Sequence, residues 1–328
     1  MPEILYMPMI YIRLHSTDPY HNLAVEEYLL RHSDEDVFML WQNAPSVIVG
    51  KNQNAYAELN LSYAREHGIR VVRRITGGGA VYHDAGNLNY TFITGKDEAK
   101  ILDYAYFAAP ILSALRKLGL DCRLSGRNDL ECGGRKFSGN AQAVIGERIL
   151  HHGTLLFDTD VNEMSAVLKQ DEEKLAHKGV RSHRSRVLNL RELLPPDIGM
   201  EDFISHIERA VLSETGAEAC EPPENAAVEA LRARNASEEW IYSDRRYLTT
   251  YEVTRRQKFP FGIVSLSLRL AREVIESVMI SGDFFGEKPV EELEAALVGR
   301  QIGEPLGIDP APYIRGMTEQ ELASLLRG

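Results

Sequence analysis

The chain has 328 residues, 44% hydrophobic and 26% charged, enough for one large domain or a large and a small one, each with its own core. A formal charge of −11 argues against a general nucleic-acid binder, whose affinity rests on neutralising phosphates, so any anionic ligand must meet a local cluster of donors. The three cysteines, Cys122, Cys132 and Cys220, are odd in number and lack metal-ligand spacing, which points to a reduced, cytoplasmic setting without a disulfide framework.

Met1–Ser16 has no cationic start followed by a long apolar run, so no signal peptide is expected. No apolar stretch approaches the ~20 residues that a membrane span needs. His21–His32 reads as a helix, with Leu23, Val25, Tyr28 and Leu29 recurring among charged residues. Val37–Trp41 and Val47–Val49, separated by Asn43-Ala44-Pro45, read as a strand pair with a turn. A helix over Glu58–His67 is stopped by Gly68, and a strand over Arg70–Ile75 leads into three glycines.

After the turn signal Asp84-Ala85-Gly86, Leu88, Tyr90 and Phe92 alternate with Asn87, Asn89 and Thr91. That is a strand with a polar face. Ile101–Leu118 carries the longest amphipathic stripe and ends at Gly119. Short strands and turns fill Arg123–Phe157, with a hairpin about Gly146-Glu147-Arg148. Helices follow over Val161–Leu168, Glu201–Thr215 and Ala226–Trp240, interrupted by Glu221-Pro222-Pro223. The last ninety or so residues read as separate: strands over Val264–Leu270 and Val274–Ile280, then helices about Val290–Leu297 and Thr318–Leu326. The boundary falls near Tyr242–Arg246, giving domains 1–244 and 245–328.

The sharpest motif is Arg73-Arg74-Ile75-Thr76-Gly77-Gly78-Gly79-Ala80-Val81-Tyr82-His83-Asp84. Glycines let backbone N–H groups approach an anion and adopt the φ > 0 angles that turn them inward. Arg73 and Arg74 can add charge-assisted contacts to phosphate. A plain flexible turn is the alternative, and the two arginines favour the anion cradle. A P-loop is excluded, because no Gly-Lys-Ser/Thr follows and the next residues are strand-like. A second group comprises Ser125–Asp129, Lys136-Phe137-Ser138-Gly139-Asn140-Ala141 and His151-His152-Gly153-Thr154. A lysine there could pair with a carboxylate and a developing negative oxygen, although residue type alone favours a solvated surface lysine.

Read together, these segments resemble the lipoate–protein ligase family, in which an Arg-Arg-x-Ser-Gly-Gly-Gly-Ala-Val-Tyr/Phe-His-Asp segment precedes Gly-Arg-Asn-Asp, Lys-x-Ser-Gly-x-Ala and His-His-Gly-Thr-Leu-Leu. All four occur here in order, with Thr76 replacing the usual Ser. Asn22–Glu27, Gly50–Asn54 and Lys178–Ser182 match as well. The likeness is close over about residues 10–195 and looser beyond.

The resemblance implies an α+β fold: a mixed, mainly antiparallel sheet with packed helices, like the catalytic domains of biotin ligases and class II synthetases, plus a small mobile C-terminal α/β domain. It implies two steps. Lipoate and ATP, with Mg²⁺ accompanying the nucleotide, give lipoyl-AMP. A lysine of a lipoyl domain, on a 2-oxoacid dehydrogenase E2 subunit or a glycine cleavage H protein, then attacks it. Neither nucleic acid nor membrane is an expected partner, and no metal ligand set is legible.

Carried over by position, Lys136 becomes the catalytic residue, holding the carboxylate against the α-phosphate. Arg74 and the backbone of Gly79, Ala80, Val81 and Tyr82 would bind the nucleotide and the adenylate. Arg73, Thr76, Gly77, Gly78, His83, Ser138, Gly139, Ala141, His152 and Gly153 join the expected site through the same motifs. Asn87 and Asp129 would support it. Lys178–Asn189, with Arg181, Arg184 and Arg186, resembles a loop that orders over the adenylate.

His151 and His152, as adjacent strand residues, point to opposite faces, which favours packing over zinc. His83 is expected to order the glycine loop, and Trp41 to be core or a wall of the lipoyl tunnel. Cys132 invites a second reading, an ATP-independent octanoyl or lipoyl transferase acting through a thioester, but only Arg135 and Lys136 lie near it in sequence to lower its pKa. A catalytically silent lipoyl-domain binding protein is the non-enzyme alternative. Ala271-Arg272-Glu273 stands where a glycine-containing turn is expected.

Overall fold

The structure is a computed structural model and describes residues 9–126, 128–169, 187–242 and 251–328. The chain divides into two compact units that are interleaved in sequence: Met1–Ile48, Asn60–Val72 and Val81–Ala236 form one, and Val49–Leu59, Arg73–Ala80 and Ser237–Gly328 the other.

The first unit is built on a mixed eight-stranded sheet. Its strands are β1 (Met9–Arg13), β2 (Asp36–Trp41), β6 (Asn87–Gly95), β7 (Cys122–Ser125), β8 (Asp129–Cys132), β9 (Arg135–Ile145), β10 (Arg148–Leu156) and β11 (Glu218–Ala219), in the spatial order β11-β1-β2-β6-β10-β9-β8-β7. β1 pairs parallel with β2 and β11, while the successive pairs β2–β6, β6–β10, β10–β9, β9–β8 and β8–β7 are antiparallel. A smaller sheet joins β4 (Arg70–Arg73), β3 (Ser46–Val49) and β5 (Val81–His83).

Helix α1 (Pro19–His32) begins two residues earlier than its apolar stripe predicts. Asp18 accepts from the Tyr20 N–H, and Pro19 needs no partner in the first turn. The helix predicted over Glu58–His67 is two short ones, α2 (Ala55–Glu58) and α3 (Leu61–Glu66). Asn54 and Asn60 each cap a new start. α4 (Tyr104–Lys117) starts three residues later than predicted, because Leu102 lies at φ +57 and donates its N–H to Gln142 at 2.6 Å. α5 (Val161–Val167) and α6 (Met200–Thr215) match their predicted spans closely, and the stretch predicted as one helix over 226–240 breaks into α7 (Ala226–Asn235) and α8 (Glu238–Tyr242).

β2 and β3 form where predicted but do not pair with each other; they belong to different sheets. The connection is drawn to the start of α1 instead: Ala44 donates to Thr17 O, and Asn22 Nδ2 donates to Ser16 O, Gln42 O and Asn43 Oδ1. The core of the first unit fills the α4–α6 side of the sheet, with Phe38, Tyr90, Phe92, Phe107, Phe137 and Phe203 all buried. At roughly 25 cal/mol per Å² of apolar surface, such large rings dominate the burial that favours folding.

In the second unit β12 (Val253–Phe259), β13 (Gly262–Ala271) and β14 (Val274–Gly282) make an antiparallel sheet in that order. Leu266, Leu268 and Ile280 bury against α9 (Val290–Leu297) and α10 (Glu319–Arg327). The β13–β14 turn is two residues long, and both Arg272 (φ +46) and Glu273 (φ +69) are left-handed without being glycine. No described helix is long and apolar enough to cross a membrane.

Candidate active site

The polar face of the large sheet starts from the alternation on β6. Asn87, Asn89 and Thr91 are as buried as their apolar neighbours, so the polar face is internal. Register carries it sideways: Thr91 faces His152 and Asn89 faces Thr154 on β10; His152 faces Ala141 on β9; Asp129 on β8 faces Gly139. Thr154 Oγ1 accepts from the Gly139 N–H at 3.2 Å.

Strict alternation would leave Lys136 on the other side of β9 from Gly139. A bulge corrects this. Leu130 pairs with Ser138 but Glu131 pairs with Lys136, so Phe137 is an extra residue, and it drops into the core. Lys136 thereby joins the Asp129 and Gly139 face. Its Nζ lies 2.8 Å from Asp129 Oδ1, with side chains 43% and 39% exposed, so the pair is open to solvent. A Cβ on Gly139 would stand only 3.2 Å from that Nζ; the glycine leaves room for the ammonium over the strand.

Deeper on this face, Glu26 from α1 is almost fully buried and accepts from Thr91 Oγ1 at 2.7 Å. Thr91 in turn accepts from Trp41 Nε1 at 3.0 Å, and His152 Nδ1 lies 2.9 Å from Glu26. His83 accepts from Asn43 Nδ2 at 3.0 Å through Nδ1, with its ring against Trp41. Asn87 Nδ2 donates to Asn89 Oδ1, while Asn87 Oδ1 is buried without a protein partner.

The opposite face explains two more residues. His151 stacks on Phe107 inside the core, where burial holds its imidazole well below the usual histidine range and therefore neutral. His151 and His152 point to opposite sides of β10. Among the described residues no group of three His, Cys, Asp or Glu could hold a metal ion. A Cβ on Gly153 would meet Asn140 Oδ1 at 2.3 Å and the Tyr90 hydroxyl at 2.6 Å, so this glycine is required by packing.

The glycine loop belongs to the second unit. Arg73 is 3% exposed, and its guanidinium donates to Gly50 O, Lys51 O, Gln53 O, Trp240 O and Ile241 O at 2.6–3.1 Å. Arg74 donates to Thr76 Oγ1 (2.8 Å), Gly77 O (2.7 Å) and Gly79 O (2.8 Å), bracing the turn from within. The three glycines differ. A Cβ on Gly77 would stand 2.3 Å from Phe284 O; Gly78 needs φ +90; Gly79 has neither constraint and is exposed. Only one of the three has the positive φ expected for turning N–H groups inward. Ala80 ends the loop, and Val81 and Tyr82 start β5, pairing with Ile48 and Val47. The Tyr82 hydroxyl donates to Glu163, and burial followed by that bond raises it far above the phenol range, keeping it a donor.

Two family descriptions match the chain: "Lipoyl protein ligase A/B catalytic domain" over residues 18–212, and "Bacterial lipoate protein ligase C-terminus" over residues 249–326. The chain belongs to the lipoate–protein ligase family. It is thereby placed among enzymes. Lipoate-protein ligase LplJ of Bacillus subtilis is 38% identical over 94% of this chain and 97% of its own length. Lipoate–protein ligase 1 of Staphylococcus aureus is 42% identical over 86% and 87%. Plasmodium falciparum LipL1, solved in complex with lipoate, superposes with a TM-score of 0.79 over 98% of this chain and all of its own, at 22% identity, which speaks to the fold. A bi-partite lipoate protein ligase from Thermoplasma acidophilum, described with its E2 lipoyl domain, gives 0.64 at 29% identity over 76% of this chain and all of that one. A lipoate-protein ligase A bound with ATP gives 0.62 at 26% over 73% and 100%.

Sequence reasoning passed over Asn140, Tyr90 and Asn128 in this ligase. Asn140 Nδ2 donates to Asn128 O (3.0 Å), Asn128 Nδ2 donates to Asn140 O (2.6 Å), and Tyr90 donates to Asn140 Oδ1. This lock fixes the residue before Asp129. Its signal was the alternation Ser138, Asn140, Gln142 along β9. Lys178 and Arg181, with the rest of the basic segment up to Arg186, lie outside the described residues, and so does most of the predicted boundary at 242–246.

Proposed function

We propose that this ligase activates lipoate with ATP to lipoyl-AMP, releasing pyrophosphate, and then transfers the lipoyl group to a lysine of a lipoyl domain. The observation that carries the reading is the bulge at Phe137, which turns Lys136 onto the polar sheet face beside Asp129. On binding, the Lys136 ammonium leaves Asp129 for the substrate carboxylate. It then neutralises charge on the carbonyl and phosphate oxygens as each bond forms. Asp129 holds the ammonium in wait, and the Asn128–Asn140 lock holds Asp129.

In the glycine loop, Arg73 is assigned to holding the loop's base. Arg74, braced against the Thr76 hydroxyl and the Gly77 and Gly79 carbonyls, exchanges these acceptors for phosphate, and the backbone of Gly79, Ala80, Val81 and Tyr82 binds the nucleotide. Gly78 shapes this turn. Asn87, Ala141 and His152 line the polar sheet face that carries Lys136, with Glu26 and Trp41 deeper on it, and Ser138 and Gly153 shape β9 and β10 from the opposite face. Lys178 and Arg181 are proposed to cover the adenylate. Residues 1–244 are proposed to carry catalysis and 245–328 to be accessory.

Mg²⁺ is proposed to arrive with ATP, held chiefly by phosphate oxygens and water. The acceptors proposed are lipoyl domains of E2 subunits or the H protein, in the cytoplasm. Burial of Cys132 at 8% exposure, its thiol donating to Asp121 O, weighs against a thioester route. Lipoate-dependent exchange of labelled pyrophosphate into ATP tests the reading; transfer of an octanoyl or lipoyl group without any such exchange would overturn it.

A further inference from the structure

Cys122 and Cys132 are directly opposed on antiparallel β7 and β8. The Cys122 N–H donates to Leu120 O, so the two residues do not exchange both ladder bonds. Opposed residues of that type have Cα atoms about 4.5 Å apart, within the range that a disulfide spans. Both side chains point into the core, and burial followed by the neighbouring Cys132 thiol pushes the Cys122 thiol up. β7 is four residues long and lies at one edge of the eight-stranded sheet, paired on one side to β8 and packed against α4, so a local opening of this edge strand exposes both thiols. The remaining cysteine, Cys220, is exposed.

We propose that Cys122 and Cys132 are a modification site: a cross-strand dithiol that hydrogen peroxide converts to a disulfide when β7 opens. The Cys132 sulfur, having given up its proton, attacks a peroxide oxygen. An S–O bond forms, the O–O bond breaks, and the hydroxide that leaves takes the proton away as water. The Cys122 sulfur then attacks the Cys132 sulfur. The S–S bond forms, the S–O bond breaks, and a second water carries off the Cys122 proton. Two thiols lose two electrons and one peroxide becomes two waters. The burial that raises the Cys122 thiol makes the reaction slow while β7 is closed. Because β8 also carries Asp129, the linkage ties the edge strand to the strand that positions Lys136.

The test uses the full-length protein, freed of reductant, exposed to hydrogen peroxide, blocked with N-ethylmaleimide and digested without reduction. Mass spectrometry should find the Cys122 and Cys132 peptides joined, lighter by two hydrogens than their sum. Dithiothreitol before blocking should return two labelled cysteines. The Cys220→Ser variant should link equally well. Cys122→Ala should lose the linkage and leave Cys132 as a sulfenic acid trapped by dimedone. Cys122 and Cys132 both fully labelled by maleimide while Cys220 is oxidised, or a bond from either to Cys220 in wild type, would overturn the proposal. None of these readouts depends on the ligase reading.

Discussion

Arg73 and Arg74 are neighbours of the same chemical type with different work, and the difference lies in their acceptors. Arg73 meets five backbone carbonyls while nearly fully buried. Lysine cannot reproduce that planar fork, so Arg73→Lys should destabilise the protein by about 2–3 kcal/mol, since charged hydrogen bonds contribute about 1.5–3 each and buried carbonyls would be left unmet. Thermal unfolding reads this directly. Gly139 presents the opposite case. The group that a Cβ would strike is the end of the flexible Lys136 side chain, so Gly139→Ala should leave the melting temperature within a degree or two of wild type, corresponding to less than about 0.5 kcal/mol. Ligation should fall roughly 100-fold, on the scale of a misplaced reacting group. A variant with full activity would detach Lys136 from the position assigned to it.

At the scale of elements, the β13–β14 turn stores strain. Its two residues adopt left-handed angles that cost about 1–2 kcal/mol each for ordinary side chains. Replacing Arg272-Glu273 with Asn-Gly should therefore stabilise the C-terminal sheet by about 1 kcal/mol or more, seen as a later urea transition. The α1–α7 packing supplies a pH test. Burial raises the Glu27 carboxyl, but Arg234 (3.0 and 2.5 Å) and Arg31 (2.9 Å) outweigh burial and hold it below its usual 4.5. A carboxylate with a depressed folded pKa contributes stability above its unfolded pKa and loses it as pH falls through the folded value. Arg234→Ala should thus cost about 3 kcal/mol at pH 7, and the gap to wild type should narrow below about pH 4. A gap of constant size down to pH 3 would contradict this.

For the molecule as a whole, what could be read in advance was whatever depends on local chemistry. The α1 stripe, the alternation on β6 and the glycine motif are periodic or compositional, and the structure places helix, strand and turn there. The split of the Glu58–His67 stretch was also local, in Asn60, but a cap inside an apolar pattern is easily read through. The strands Met9–Arg13 and Val253–Phe259 were missed, being short of strong alternation. What depends on non-local pairing was hidden. Nothing near Phe137 announces a bulge, because the extra residue exists only relative to β8. The five acceptors of Arg73 are likewise gathered from two stretches of chain far apart in sequence, Gly50–Gln53 and Trp240–Ile241. β2 and β3 look like a hairpin until the contacts of Asn22 and Asn43 are known. The proposed site follows the same division: its residue types are named from the sequence alone, and the register that turns Lys136 to the polar face is not.

The central claim is that Lys136 serves formation of the adenylate. Lipoate-dependent exchange of labelled pyrophosphate into ATP, compared between wild type and Lys136→Ala, tests it most directly, with circular dichroism confirming that the variant is folded. Wild type should exchange label, and the variant should lose at least roughly 100-fold, in line with removal of a charge that acts on the transition state. Exchange at the wild-type rate in a folded Lys136→Ala protein would contradict the account.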